Sequence, residues 1–366
     1  MSQGTVAPKY KSPLHEMTES TKTCLWNDSA SIQELNYSLQ HGAVGATCNP
    51  VIVLGVLKKE IAEWKGRIRS LMEERPMATE EEIAWQLIRE ISVKCAKLLV
   101  PSFERHQGRN GRLSIQTDPR LYRNARAMLD QAEEFNKLTP NMIVKIPVTH
   151  AGIAAIEEAT YRGISINATV SFTLPQAVAV GEAVERGLTR REQEGKSVRE
   201  MGPVCTIMVG RLDDWLKVVA EKENITIDPG FLEWAGVAVF KKAYKIYHER
   251  GYRTRLLSAA FRNHMHWSEL IGGDVVISPP YSWQVRFNAS DIIVRERMDL
   301  AVDERILQGL QTKFPEFVRA YEENGLKPEE FDSFGATRRT LRQFISACYE
   351  LNGLVRDVML PNPDAT

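Results

Sequence analysis

Eight short runs of β-type residues are spaced along the chain, and amphipathic helical patterns lie between them. The runs are Thr23–Trp26, Val44–Thr47, Leu113–Thr117, Met142–Pro147, Ile164–Val170, Val204–Val209, Arg255–Ala259 and Asp274–Ile277. The helical patterns include Glu80–Leu99, Pro119–Asn136, Gly152–Tyr161, Leu174–Arg186 and Phe231–Arg250. Alternation of strand and helix implies a parallel sheet, because a parallel neighbour is reached only through a long crossover. Eight is the number of strands that closes such a sheet on itself. An open doubly wound sheet is the competing arrangement. It would normally carry a glycine-rich phosphate turn after an early strand, and neither GxGxxG nor GxxxxGK[ST] occurs. The expected fold is therefore α/β, a (β/α)8 TIM barrel with extra helices, mainly C-terminal.

The strand pattern stops after about Tyr281. Asp299–Gly309 and Thr337–Met359 have helical spacing and are expected to pack outside the barrel, with Pro361–Thr366 frayed. Arg186–Glu200 is densely charged and is expected to be an exposed excursion. These boundaries divide the chain into an N-terminal extension (1–22), a catalytic barrel (23–285) and a C-terminal helical extension (286–366). Lys+Arg and Asp+Glu both total 47. That balance argues against nucleic-acid partners and against a polybasic membrane surface. No apolar run approaches the roughly 18 residues of a membrane span. The first twenty residues lack an apolar signal-peptide core. The five cysteines are far apart and form no CxxC pair, as in a reduced protein without a cysteine-based metal site. A cytoplasmic location is expected.

Barrel enzymes take their catalytic groups from the C-terminal ends of the strands. There the sequence places Asn27, Asp28 and Ser29 on the first strand, then Thr47, Cys48 and Asn49 on the second. Ser114, Gln116 and Asp118 belong to the third, Lys145 to the fourth, and Asn167, Thr169 and Ser171 to the fifth. Thr206 and Arg211 follow on the sixth, Arg262 and Asn263 on the seventh. Lys145 stands alone in the apolar run Met142–Val148. Burial disfavours an ammonium, so a lysine inside the barrel becomes a neutral amine, the nucleophile for a Schiff base. A strand lysine paired structurally with a carboxylate fits the same spacing, and the spacing leaves both open. Asp28 suits general acid/base work or a helix N-cap, and Asn49-Pro50 suits substrate contact or a turn. Arg211 and Arg262 suit a phosphate held by bidentate bonds, or surface ion pairs, with Asp213 or Asp214 near Arg211. His264 and His266 lack a third ligand nearby in sequence, so no metal is expected; contact with substrate is the alternative. Asp118-Pro119 should start a helix.

Seven of these blocks together resemble the transaldolase family: WNDS, GATCNP, GRLSIQTDPRL, IVKIPVTHAGIAAIEEA, GISINATVSFTLPQA, VGRLDDW and AAFRN. They occur in family order from Thr23 to Pro279. The long chain, with its charged excursion and helical tail, is similar to the larger transaldolases. The resemblance implies a carbohydrate-metabolic transferase of the pentose phosphate kind. Lys145 would attack the C2 carbonyl of a ketose, and Asp28 would take the C4 hydroxyl proton as C3–C4 breaks. A dihydroxyacetone unit would stay on Lys145 until a second aldose accepts it. Thr47, Asn49, Asn167 and Thr169 match positions that orient the sugar and the catalytic water, and Arg211 and Arg262 match the phosphate-binding arginines. Sugar phosphates would be the partners. No metal or organic cofactor is implied, because the imine is the electron sink. The oligomeric state stays open.

Four positions depart from the family pattern. Gln116 stands where a glutamate is usual, and an amide orients water without carrying its proton. The fructose-6-phosphate aldolase branch is similar to this chain at that position. Thr206 replaces a serine and keeps the hydroxyl. Met208 replaces an aromatic, and Ala260 replaces a serine at the phosphate site. Three readings follow: a dihydroxyacetone transferase, an aldolase using Lys145 without obligatory transfer, and a non-catalytic sugar-phosphate binder. The third is disfavoured by the cost of keeping an interior lysine and its polar shell.

Overall fold

The computed structural model describes residues 9–364. The first eight residues of the expected N-terminal extension, and the last two of the expected frayed tail, lie outside the described residues. Eight parallel strands close into a barrel in chain order. They are β1 (Cys24–Asn27), β2 (Ala43–Cys48), β3 (Arg112–Gln116), β4 (Met142–Pro147), β5 (Ile166–Ser171), β6 (Val204–Ile207), β7 (Arg255–Ala259) and β8 (Val276–Ser278). The (β/α)8 TIM barrel is thus the fold, and the open sheet is excluded by the β1–β8 pairing.

Side-chain alternation divides each strand between two environments. On β4, Met142, Val144 and Ile146 join the core beneath the helices. Ile143 instead clusters with Trp26, Val204, Leu257, Ala259 and Val276. Residues of β1, β4, β6, β7 and β8 can form one cluster only across the barrel lumen. Lys145 and Pro147 share the face of Ile143 and so point into that lumen. The N-terminal end is filled. Trp26 occupies it so fully that a Cβ at Gly45 would come within 2.4 Å of the indole. Arg112 and Arg255, both buried, hydrogen-bond to backbone carbonyls there. Arg112 Nε reaches Gly108 O at 2.6 Å, and Arg255 Nη2 reaches Arg109 O at 2.8 Å. Access to the lumen is therefore from the C-terminal end.

Several helices differ from the sequence expectation, each for a local reason. The Pro119–Asn136 pattern splits into a 3-10 turn, Pro119–Leu121, capped by Asp118, and a helix, Ala125–Asn136. Asn124 starts the second piece by accepting from Ala127 N at 3.0 Å. The Phe231–Arg250 pattern splits into Pro229–Leu232 and Ala235–Glu249. Here the Gly236 N–H is taken by the Asp213 carboxylate at 2.8 Å. The expected Asp299–Gly309 helix begins instead at Glu304, because Asp303 caps it through Arg305 N at 2.7 Å. Half of the charged Arg186–Glu200 stretch continues the helix Leu174–Gln193. The last helix, Gly335–Met359, packs across Pro50–Lys59, Glu80–Arg105 and Val209–Lys222, and so reaches the open end of the barrel.

Candidate active site

Strand register sets the centre of the site. Gln116 pairs with Lys145, and Lys145 with Asn167, so three polar side chains stand abreast on β3, β4 and β5. Partners in parallel strands face the same way, so all three enter the lumen. Lys145 is only 3% exposed. Among the described residues no carboxylate lies within ion-pair distance of it, so the structural pairing open in the sequence is not formed. Burial pulls the Lys145 ammonium below its ordinary pKa. The Asp28 carboxylate and Cys48 oppose that shift, and Arg211 adds to it. Lys145, Asp28 and Arg211 therefore share one electrostatic field.

The polar shell around Lys145 is partly saturated and partly free. Asn167 Nδ2 donates to Ser114 Oγ at 2.9 Å, and Thr206 Oγ1 donates to Asn167 Oδ1 at 2.7 Å. These bonds lock the Asn167 amide. In contrast, both amide atoms of Gln116, Thr169 Oγ1 and Ser278 Oγ are buried and unpartnered among the described residues. Buried polar atoms normally have partners, so these are the groups available to a bound polar molecule. Thr169 neighbours Pro147, one pleat beyond Lys145. Ser171 Oγ is likewise buried and unpartnered among the described residues, but it lies on the other face of the strand. Val170 has φ of +55°, the register slips between Ala168 and Ser171, and Ser171 pairs with Ile207 of the outer core.

At the mouth, Thr47 Oγ1 donates a hydrogen bond to Asp28 Oδ1. Asp28 caps no helix: the next helix, Ile32–Gln40, has Ser31 at its N-cap. Asn49 does take a structural role. Its Oδ1 accepts from Ile52 N at 2.9 Å and caps the helix Pro50–Lys59, with Pro50 in the first turn.

The arginines share a cleft of about 350 Å3 lined by Arg211, Asp214, Arg262, Arg339, Thr340 and Gln343. Arg211 pairs with neither Asp213 nor Asp214. Its Nη1 donates to Gln343 Oε1 at 2.6 Å, its guanidinium lies over Phe344 at 5.4 Å, and its Nε has no partner among the described residues. Burial, with Arg262 nearby, brings its pKa down to about 10. Asp214 grips Arg262 instead, at 3.0 Å to Nε and 2.8 Å to Nη2. Three guanidinium groups thus face one carboxylate, and an anion is the ligand such a cleft favours. Arg339, Thr340 and Gln343 carry no motif in the sequence. They arrive only because the last helix crosses the mouth.

The two histidines part. His264 Nδ1 contacts Ser268 Oγ at 3.0 Å, whereas His266 is buried against Asp213. Met208 lies in the outer core, and Ala260 has φ of +66° beside Gly210.

A closed parallel barrel with polar side chains gathered at its C-terminal mouth is the layout of barrel enzymes. Residues 25–327 match the family Transaldolase/Fructose-6-phosphate aldolase, and the chain belongs to it. It is 32% identical to a transaldolase of Thermobifida fusca over 211 residues, 55% of this chain and 56% of that protein. A transaldolase of Thiobacillus denitrificans is 32% identical over 218 residues, 57% of this chain and 58% of that protein. One of Mycobacterium tuberculosis is 29% identical over 224 residues, 60% and 58%. The chain thus matches somewhat over half the length of these relatives. Among the described residues, no helix is long and apolar enough to cross a membrane.

Proposed function

We propose that the protein is a Schiff-base transaldolase that moves a dihydroxyacetone unit between anionic sugars. The observation that carries this is Lys145: a lumen-facing strand lysine, 3% exposed, without an ion-pair partner among the described residues and flanked in register by Gln116 and Asn167. Its amine attacks the C2 carbonyl of a ketose, and loss of water gives the iminium. Asp28, held by Thr47, takes the C4 hydroxyl proton as the C3–C4 bond breaks. The electrons of that bond move into the iminium, leaving an enamine on Lys145 and releasing an aldose. The enamine then attacks a second aldose, Asp28 returns the proton, and hydrolysis frees the product. Thr47 and Thr169 orient the sugar together with Asn49 and Asn167, through the Nδ2 hydrogens that the helix cap and the Ser114 bond leave over, and Thr206, through the lone pairs of its hydroxyl; Arg211 and Arg262 hold its anionic end.

Borohydride reduction in the presence of a ketose donor should leave a three-carbon adduct on Lys145, read by intact mass and peptide mapping. An adduct on another lysine, or none, sinks the proposal.

A second reading, aldol cleavage without obligatory transfer, is favoured by the two unpartnered amide atoms of Gln116. An amide there orients water but relays no proton. Gln116→Glu should raise the ratio of transfer to aldol cleavage and move the pH profile, because a titrating group has entered the lumen. An unchanged ratio and profile would leave Gln116 a packing role.

A further inference from the structure

His266 Nε2 lies 2.8 Å from Asp213 Oδ2, and both side chains are wholly buried. The other ring nitrogen, Nδ1, is 3.1 Å from the backbone nitrogen of Arg262. That N–H can only donate, so Nδ1 accepts and carries no proton. The proton of the pair then lies between Nε2 and Asp213. Asn263 Nδ2 is 3.4 Å from Nε2 but donates to Glu233 Oε2 at 2.6 Å. The second oxygen of Asp213 accepts the Gly236 N–H at 2.8 Å. Gly236 belongs to the first turn of Ala235–Glu249, where the helix dipole favours negative charge. Burial nonetheless holds the Asp213 carboxyl above its usual range, against the pull of the bonds from His266 and Gly236.

The surrounding backbone is shaped to bring these groups together. Ala260 is left-handed, with φ of +66°. A Cβ at Gly210 would meet Ala260 O at 2.1 Å, Arg262 Cγ at 2.7 Å and His266 Cε1 at 3.1 Å. Only glycine lets the start of the helix Val209–Lys222 approach this closely. Asp213 and Asp214 are adjacent on that helix and act on opposite ends of Arg262. Asp214 holds its guanidinium, and Asp213, through His266, holds its backbone.

We propose that Asp213 and His266 form a positioning dyad that sets Arg262 for the anionic end of the sugar. Recognition of charged substrates then depends on where a proton sits in a pair that does not touch them. The proposal rests on the reading of Arg262 as an anion-binding residue.

The test is Asp213→Asn. The new amide keeps Gly236 on its oxygen and turns its NH2 toward His266 Nε2. The ring must then move its proton to Nδ1, where it opposes the Arg262 N–H; a buried Asp→Asn change has this tautomer effect in the serine-protease triad. The KM for a phosphorylated ketose should rise about tenfold, the scale of one lost positioning bond, with kcat and the KM for an unphosphorylated donor nearly unmoved. Borohydride trapping of dihydroxyacetone on Lys145 should be unaffected. His266→Asn and His266→Leu read the same dyad should Asp213→Asn fail to fold. The Asn oxygen replaces the Nδ1 acceptor and should hold KM near wild type, while Leu should not. An unchanged KM in Asp213→Asn, or equal shifts for both donors, overturns the dyad. Arg262→Ala separates the two readings. If it shifts KM for phosphorylated donors and Asp213→Asn does not, only the dyad fails; if it shifts nothing, the anion reading fails and takes the dyad with it.

Discussion

Lys145 is a residue whose usefulness and whose cost have one cause. Burial lowers its pKa from an ordinary value near 10.5, which under the proposed chemistry frees the amine for attack and also penalises the folded state. A base with a lowered folded pKa binds fewer protons folded than unfolded between the two values, so its drag on stability falls as pH rises through that window. Below the folded value the penalty is complete. Lys145→Met should therefore be more stable than the native protein at pH 7, by about 1 kcal/mol, the usual gain from relieving a functional strain, and so melt higher. The gap should narrow as pH approaches 10.5. Melting curves across pH check this, and a gap independent of pH would mean that shape alone explains it.

At the scale of elements, the end of β5 carries strain that a neighbouring side chain offsets. Val170 is β-branched with φ of +55°, a conformation costing about 1–3 kcal/mol. Gln176, wholly buried in the helix Leu174–Gln193, binds the kink from several sides. Its Nε2 donates to Val170 O and Val148 O, both at 3.1 Å, and its Oε1 accepts from Phe172 N at 3.0 Å. One amide thus ties the ends of β4 and β5, the strands bearing Lys145, Asn167 and Thr169. Gln176→Leu would leave two carbonyls and one N–H buried without partners. At roughly 1–3 kcal/mol per orphaned group, a loss of at least about 3 kcal/mol is expected in denaturant unfolding. A loss under about 1 kcal/mol would show that the bulge holds itself.

The molecule as a whole decides the arginine-lined cleft to which the proposed function assigns the anionic end of the sugar. A barrel alone would leave Arg211 at an open rim, but the helix Gly335–Met359 crosses that rim and takes hold of it through Gln343 and Phe344. Gln343→Ala should loosen Arg211 and raise the KM for a phosphorylated donor about fivefold, the worth of one hydrogen bond near 1 kcal/mol. The kcat should stay close to native. Steady-state kinetics with phosphorylated and unphosphorylated donors would show it; equal changes for both would assign Gln343 to packing.

The barrel was legible because its signal is local and repeated. A strand that buries both faces is an apolar run, and eight such runs separated by helices leave few closed arrangements. Lys145 was legible as the lone charge in an apolar strand, but the way it points was not, because both faces of that strand are apolar; the alternation that sends Ile143 inward, and Lys145 with it, shows only in the closed barrel. Residues with two plausible roles were not settled by sequence. Asp28 and Asn49 are both good capping residues, yet only Asn49 caps, while Asp28 meets Thr47. The pairing of Arg262 with Asp214 rather than Arg211 with it, the joining of Asp213 to His266, and the entry of Arg339 and Gln343 into the cleft are contacts between distant segments. Local periodicity reports which face of an element is buried, and it carries no record of what that face will meet. Those partners are chosen only when the closed barrel and the helix across its mouth bring the segments together.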